Sequence, residues 1–325
     1  MLRHATCQLT LSLTLGLLLL PHASALAAEL EGPPAEAPPE APPAEAPPAA
    51  EAAKTVPAAV TTWPIRISKR PLTLARGMVE LRGEFFLGHT DAGWARPFGF
   101  SPSLHYGLSD RLTVGLSHGE LSSYPYNGEG LCLSGAQKGC PDVYGSVTAD
   151  ALYSVLDEGV YAVAVRGGLQ ALAFDPVMLR ANVSARVRYN GAPFGGSYVA
   201  EPRLSFGLTH RDPLVPAAPG AGDDVLPLDP GNKEYFSIPV TAYESAGGDA
   251  ASFFETVGWN GPLSGWSDYN TFQISGGIVL SPVKIGLRQM DLTLEGGGQY
   301  LNGKAYAELE NRFPFYFMIR ADYRL

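Results

Sequence analysis

From Leu179 to Tyr189 the chain alternates without a break. Leu179, Ala181, Val183, Ala185, Val187 and Tyr189 form one row, and Arg180, Asn182, Ser184, Arg186 and Arg188 form the other. A period of two marks an extended strand, whose successive side chains point to opposite faces. Wound into a helix, the same residues would scatter three arginines around the whole circumference, so no amphipathic helix fits. One face of this segment must meet apolar surroundings and the other polar ones.

The same sorting recurs along the chain from Gly77 onward. Val79, Leu81, Gly83, Phe85 and Leu87 oppose Glu80, Arg82 and Glu84, and the row from Phe100 to Leu108 opposes Ser101, Ser103 and His105. Val147, Ala149, Ala151, Tyr153 and Val155 oppose Thr148, Asp150 and Ser154, with Leu156 to Gly159 read as the following turn. Tyr161 to Leu169 sets its apolar row against Arg166, and Pro202, Leu204, Phe206 and Leu208 stand against Glu201, Arg203 and Ser205. Further segments run from Tyr235 to Tyr243, Ser252 to Trp259, Phe272 to Leu280, Met290 to Tyr300 and Phe315 to Leu325. The last three carry Gln273, then Asp291 and Glu295, then Arg320, Asp322 and Arg324 on their polar rows.

The apolar rows are rich in Gly, Ala and aromatic residues, within a chain of 325 residues that has 37 glycines and 10% aromatics. A soluble sandwich would have to bring such rows together in one core. A bilayer asks instead that arginines avoid the outside, where one at mid-depth costs ~2–4 kcal/mol. The pattern therefore predicts an all-β fold, a transmembrane antiparallel up-and-down β-barrel of about 12 strands. Closure is required because lipid cannot satisfy an open sheet edge. Eleven residues from Phe315 to Leu325, at ~3.3 Å each and tilted ~45°, cover about the ~25 Å of an outer-membrane apolar band.

The N-terminal stretch supplies a route to such a membrane. Arg3 and His4 precede an apolar run from Leu9 to Leu20, followed by small residues at Ala23, Ala25 and Ala27, the layout of a secretory signal peptide over residues 1–27. Residues 28–60 are Pro, Ala and Glu almost throughout and cannot bury a core, so they read as a disordered linker. Its Glu29, Glu31, Glu36, Glu40, Glu45 and Glu51 account for much of the formal net charge of -9. With no basic patch elsewhere, nucleic acid is excluded as a partner. Residues 61–76 carry Pro64 and Pro71, which argue against a central strand, and read as a periplasmic lead-in or partial plug. Residues 77–325 form the barrel. In an exported chain Cys132 and Cys140, close together in a Gly/Ser-rich loop, read as one disulfide.

The hairpin Tyr106 to Ser117, YGLSDRLTVGLS, resembles a turn found in outer-membrane β-barrel proteins of Gram-negative bacteria, at their periplasmic rim. The C-terminal strand resembles the one by which the barrel-insertion machinery recognises its clients, with Leu325 where an aromatic is usual. The resemblance implies an uncharacterised porin-like barrel in the cell outer membrane with both termini periplasmic. Its implied partners are outer-membrane lipid and the insertion machinery.

Inside such a barrel Glu80, Arg82, Glu84, Asp150, Arg166, Arg180, Arg186, Arg188, Glu201, Arg203, Asp291, Glu295, Arg320, Asp322 and Arg324 would line the lumen. Their near balance of sign suits an ion-pair network. The cluster of arginines in the fifth to seventh strands reads first as pairing with Glu201, Asp150 and Glu84, and second as a positive wall that favours anionic solutes. A narrow pore for small solutes and a non-conducting structural or surface-recognition barrel both remain open at this point. A lipid hydrolase is the weaker third reading. Its candidate pairs, His105 with Ser103, His118 with Ser117 and His210 with Ser205, match no motif, so the chain is read as no enzyme. Phosphate loops, dinucleotide fingerprints and metal-ligand spacings are absent from the sequence, and no cofactor is expected.

Overall fold

Each alternating segment leaves a row of backbone N–H and C=O groups along both edges, and the computed structural model satisfies them by closing the sheet on itself. It describes residues 63–90, 93–118, 131–132, 146–174, 177–192, 196–211, 232–245, 250–282, 286–287, 289–304 and 315–325, all within one compact unit, Val60–Leu325. The expected signal peptide, linker and Cys132–Cys140 bridge lie outside the described residues or their described side chains.

In chain order the strands are β1 (Val79–Thr90), β2 (Gly93–Ser109), β3 (Leu112–His118), β4 (Leu131–Cys132), β5 (Val147–Glu158), β6 (Tyr161–Phe174) and β7 (Val177–Tyr189). They continue with β8 (Ser197–Ala200), β9 (Arg203–Gly207), β10 (Tyr235–Ser245), β11 (Ala251–Pro262), β12 (Thr271–Leu280), β13 (Met290–Leu301) and β14 (Phe315–Arg324). Neighbours pair antiparallel around the ring, and β1 pairs with β14 over ten residues, from Glu80↔Arg324 to His89↔Phe315. Short β4 only edges the projecting end of β2. Strands β8 and β9 are two halves of one stave, both lying between β7 and β10. The ring therefore has twelve staves among the described residues, as the alternation predicts.

The break in that stave falls at Glu201 and Pro202, facing Pro239 of β10. Proline has no N–H to give to a ladder. The neighbouring groups are satisfied irregularly, with Glu201 N–H donating to the Pro239 carbonyl and Ala185 N–H to that of Pro202. The expected segment Pro202 to Leu208 is thus the upper half of a strand that starts at Ser197. A second correction concerns the turn expected at Leu156 to Gly159. Strand β5 stays paired with β6 as far as Glu158, helped by a bulge between Ser154 and Leu156. The chain reverses at Gly159 and Val160, where Gly159 takes a φ of 55° that other residues rarely adopt.

Burial follows the rows. On β7, Val183 is 47% exposed while Asn182 and Ser184 are buried, and on β6 Leu169 is 61% exposed beside Gln170 at 1%. The exposed residues are apolar and the buried ones polar, the inverse of a soluble protein and the condition for a barrel in hydrocarbon. This places the chain as an outer-membrane β-barrel. The turns after β2 and β5 and the paired ends of β1 and β14 share one rim, the periplasmic one in barrels of this kind, and the two longest connections, after β3 and after β9, leave from the other. Some carboxylates break the sorting: Glu244 and Glu255 stand exposed on the outward rows of β10 and β11.

Strands β12 and β13 approach closely because Gly277 has no side chain. A Cβ there would lie 2.1 Å from the Leu294 carbonyl oxygen and 2.8 Å from the Phe254 ring, whereas one on outward Gly167 would touch nothing within 4 Å. Replacing Gly277 by Ala should destabilise the barrel by about 1–3 kcal/mol through overpacking. Gly167→Ala should be neutral or slightly stabilising. Equilibrium urea unfolding of the two variants in liposomes checks the contrast.

Candidate functional site

The polar rows meet in the lumen as two ion-pair groups. One runs beneath the seam where β1, β14 and β13 close the ring. Asp291 Oδ2 accepts from Arg70 Nη1 and Arg324 Nη1, each at 2.7 Å, and Arg324 Nε donates to Glu80 Oε2 at 2.8 Å. Glu80 Oε1 in turn accepts from Arg82 Nη2 at 3.1 Å, Arg82 Nε donates to Asp322 Oδ1 at 2.5 Å, and Arg320 Nε reaches Asp322 Oδ2 at 3.2 Å. Every link joins an inward position of one strand to an inward position of its own or a neighbouring strand, except Arg70.

The second group centres on Glu201, at the stave break. Arg186 donates to Glu201 Oε2 at 2.6 Å, Arg203 Nη2 to Oε1 at 3.3 Å and Ser184 Oγ to Oε1 at 3.1 Å. Arg166 Nε lies 3.8 Å from Glu201 Oε1 and 3.6 Å from Asp150 Oδ2. Three guanidinium groups share one carboxylate here, leaving this wall with an excess of positive charge.

The remaining lumen residues are spread around the ring. Arg180 donates from Nε to Asn232 Oδ1 at 3.1 Å and stacks over the Tyr235 ring, at the rim opposite the termini. Arg188 Nη2 lies 3.5 Å from Asp157, and its Nη1 donates to the Arg70 carbonyl. Glu295 accepts from Tyr316 Oη at 2.7 Å. Glu84 faces the cavity between Arg82 and Arg320.

The lead-in is drawn into the periplasmic mouth, where the sequence left a rim segment and a plug both open. Arg70 grips Asp291 with both Nη1 and Nη2, and Leu74 N–H donates to the inward-facing Thr113 Oγ1 at 2.8 Å. Thr73 Oγ1 caps the turn by donating to the Asp110 carbonyl, and Trp63 packs its ring under the Arg324 guanidinium. Sequence reasoning assigned Arg70 no role because its partner lies 221 residues away and the segment has no periodicity. Above the lead-in lies a cavity of about 420 Å³, walled by Ile67, Leu72 and Leu74 from below and by Glu84, His105, Arg166, Arg186, Tyr243 and Arg320 at the sides.

Of the candidate hydrolase pairs, His210 is exposed at the long-loop rim while Ser205 is buried and inward. His105 and Ser103 share the inward row of β2, yet His105 Nδ1 and Ser103 Oγ each lack a hydrogen-bond partner among the described residues. His118 and Ser117 are adjacent at the end of β3 and both border the cavity, but Ser117 Oγ makes no hydrogen bond to His118 or to any other described residue.

No family model matches the sequence, and no curated protein does. Among solved structures, the KdgM porin superposes with a TM-score of 0.44 at 7% identity, covering 75% of this chain and 98% of that one. An outer membrane channel from Pseudomonas putida F1 gives 0.47 at 10% identity, covering 78% and 97%. A BenF-like porin from Pseudomonas fluorescens Pf-5 gives 0.36 at 8%, covering 77% and 98%. The barrel itself stands on the strand pairing and the side-chain sorting, independently of these likenesses.

Glu201 holds three arginines together in a buried site. Glu201→Gln should destabilise the barrel by about 3–5 kcal/mol, because the guanidinium groups lose their shared counter-charge. Glu244→Gln, on the outward row, should leave the urea midpoint unchanged or slightly raised, and the same unfolding measurement compares the two.

Proposed function

We propose that this barrel is an outer-membrane channel for small polar solutes, closed at its periplasmic end by residues 63–76. The observation that carries the reading is the polar cavity of about 420 Å³ inside the ring, directly above the inserted lead-in. Smaller barrels fill their interior with side chains, whereas this ring keeps polar space in its lumen. The lead-in is a natural stopper because most of its hold on the wall is polar: the Arg70–Asp291 pair and a few hydrogen bonds, rather than a ladder or an apolar core. Displacing it would join the cavity to the periplasm.

The wall around Glu201 adds selectivity. Arg166, Arg186 and Arg203 outnumber the carboxylates they face, so small anions should pass more readily than cations. The twelve staves set an upper limit on solute size, between barrels that fill completely and the ~16-stranded ones that leave a wide channel.

Planar-bilayer recording tests this. The intact chain should give rare, brief openings. Arg70→Ala, and separately deletion of residues 63–72, should give frequent steps with anion preference in a salt gradient. Absence of steps in both variants, despite heat-modifiable folding, would contradict the channel, and clear cation preference would contradict the selectivity.

A further inference from the structure

On the inner wall formed by β2, β3 and β5 and the neighbouring β6, several residues that line the cavity carry buried polar atoms with no hydrogen-bond partner among the described residues, although Glu80 Oε1 stands 3.8 Å from His105 Nδ1. Ser103 stands opposite Ser117, and in the adjacent row His105 stands opposite Gly115, which itself stands opposite Asp150. Because Gly115 has no side chain, the imidazole lies across it toward the carboxylate. A Cβ at that position would meet His105 Cδ2 at 2.5 Å, Asp150 Oδ1 at 2.7 Å and His105 Nε2 at 3.0 Å. The imidazole edge and the carboxylate thus converge over one glycine.

The Asp150 side chain is only 3% exposed and lines the cavity, and its Oδ2 lies 3.6 Å from Arg166 Nε. Its Oδ1 has no hydrogen-bond partner among the described residues, and neither have Ser103 Oγ, Ser117 Oγ, His105 Nδ1 and Arg166 Nε. Buried polar atoms in native proteins are nearly all satisfied, so five on one patch of a cavity wall mark a place where something else supplies the bonds.

The chemistry of the set narrows what that is. Asp150 only accepts, Arg166 only donates, and the two hydroxyls and the imidazole do both. Asp150 offsets Arg166 and Glu80 stands beside His105, so the excess positive charge of the Glu201 wall sits on Arg186 and Arg203 and a charged solute gains little at this patch. A molecule with adjacent hydroxyl groups, each a donor and an acceptor, matches the whole set. We propose that Ser103, His105, Ser117, Asp150 and Arg166 form a binding subsite for a neutral polyhydroxylated solute, a sugar or sugar alcohol. The subsite rests on the channel reading, since it lies on the path through the lumen. One solute hydroxyl donates to Asp150 Oδ1 and accepts from Arg166 Nε, while rotation about χ1 turns the two serine hydroxyls onto its neighbours.

The probes are D-glucose, D-gluconate and D-glucosamine, followed by NMR saturation transfer from the refolded full chain in detergent. Glucose should give the strongest transfer. Its apparent affinity should fall about tenfold in the Ser103→Ala/Ser117→Ala variant, where a site built for hydroxyl groups loses two partners. Neither serine hydroxyl bonds to the described protein, so this variant should keep its heat-modifiable migration. Asp150→Asn is the second variant and should weaken glucose in the same way. Equal glucose signals in wild type and both variants, or a preference for gluconate or glucosamine, would overturn the subsite. Bilayer recordings of Arg70→Ala separate the two ideas: a conducting variant whose parent gives no glucose signal overturns the subsite alone. A glucose signal lost in the serine variant but without conductance in Arg70→Ala supports the subsite and overturns the channel.

Discussion

A charged side chain cannot face hydrocarbon cheaply, and every feature of this molecule follows from where that constraint sends its arginines. Arg180, Arg186 and Arg188 share one row of β7, so the opposite row must be the outside. Once one strand is oriented, antiparallel pairing fixes the orientation of its neighbours through the ring, because a slip of one residue would reverse every side chain. The seam between β1 and β14 is the last place where this could fail. There Glu80 faces Arg324 and Arg82 faces Asp322 across the join, so the closing pair of strands carries its own electrostatic registration. A buried ion pair is weak evidence of stability, but a mismatched one is costly, and that asymmetry favours a single register.

The interior that results is neither empty nor filled. Two ion-pair groups tie opposite arcs of the wall, one under the seam and one around Glu201. Between them lies space that no barrel side chain occupies. The N-terminal lead-in completes the first group by contributing Arg70, so the closure at the periplasmic mouth and the closure of the ring share one carboxylate, Asp291. This coupling makes the stopper part of the wall's charge balance, and its removal leaves Asp291 still paired with Arg324.

Strand identity and facing were legible in the sequence because a period of two is local: Leu179 to Tyr189 reads the same way before and after folding. What was not legible depends on distance or on exceptions to the period. Arg70 meets Asp291 from 221 residues away. The half-strand β8 hid behind the prolines at 202 and 239, which interrupt the alternation that defines a stave. The reversal expected over Leu156 to Gly159 lies further along the chain, because Gly159 and Val160 make it and Asp157 and Glu158 stay in the ladder. Outward Glu244 and Glu255 escaped notice because acidic residues on a lipid face cost less than basic ones and leave the apolar row largely intact. The convergence of His105 and Asp150 over Gly115 joins three strands and required their register.

The account rests on which residues meet lipid, and spin-label accessibility along β7 reads that directly. Single cysteines placed in turn at positions 179 to 188, in a background with Cys132 and Cys140 replaced by serine, would carry a nitroxide in liposome-embedded protein. Collision with oxygen should peak at 179, 181, 183, 185 and 187 and dip at the positions of Arg180, Asn182, Ser184, Arg186 and Arg188. A profile with its peaks at the arginine positions, or with no alternation, would contradict it.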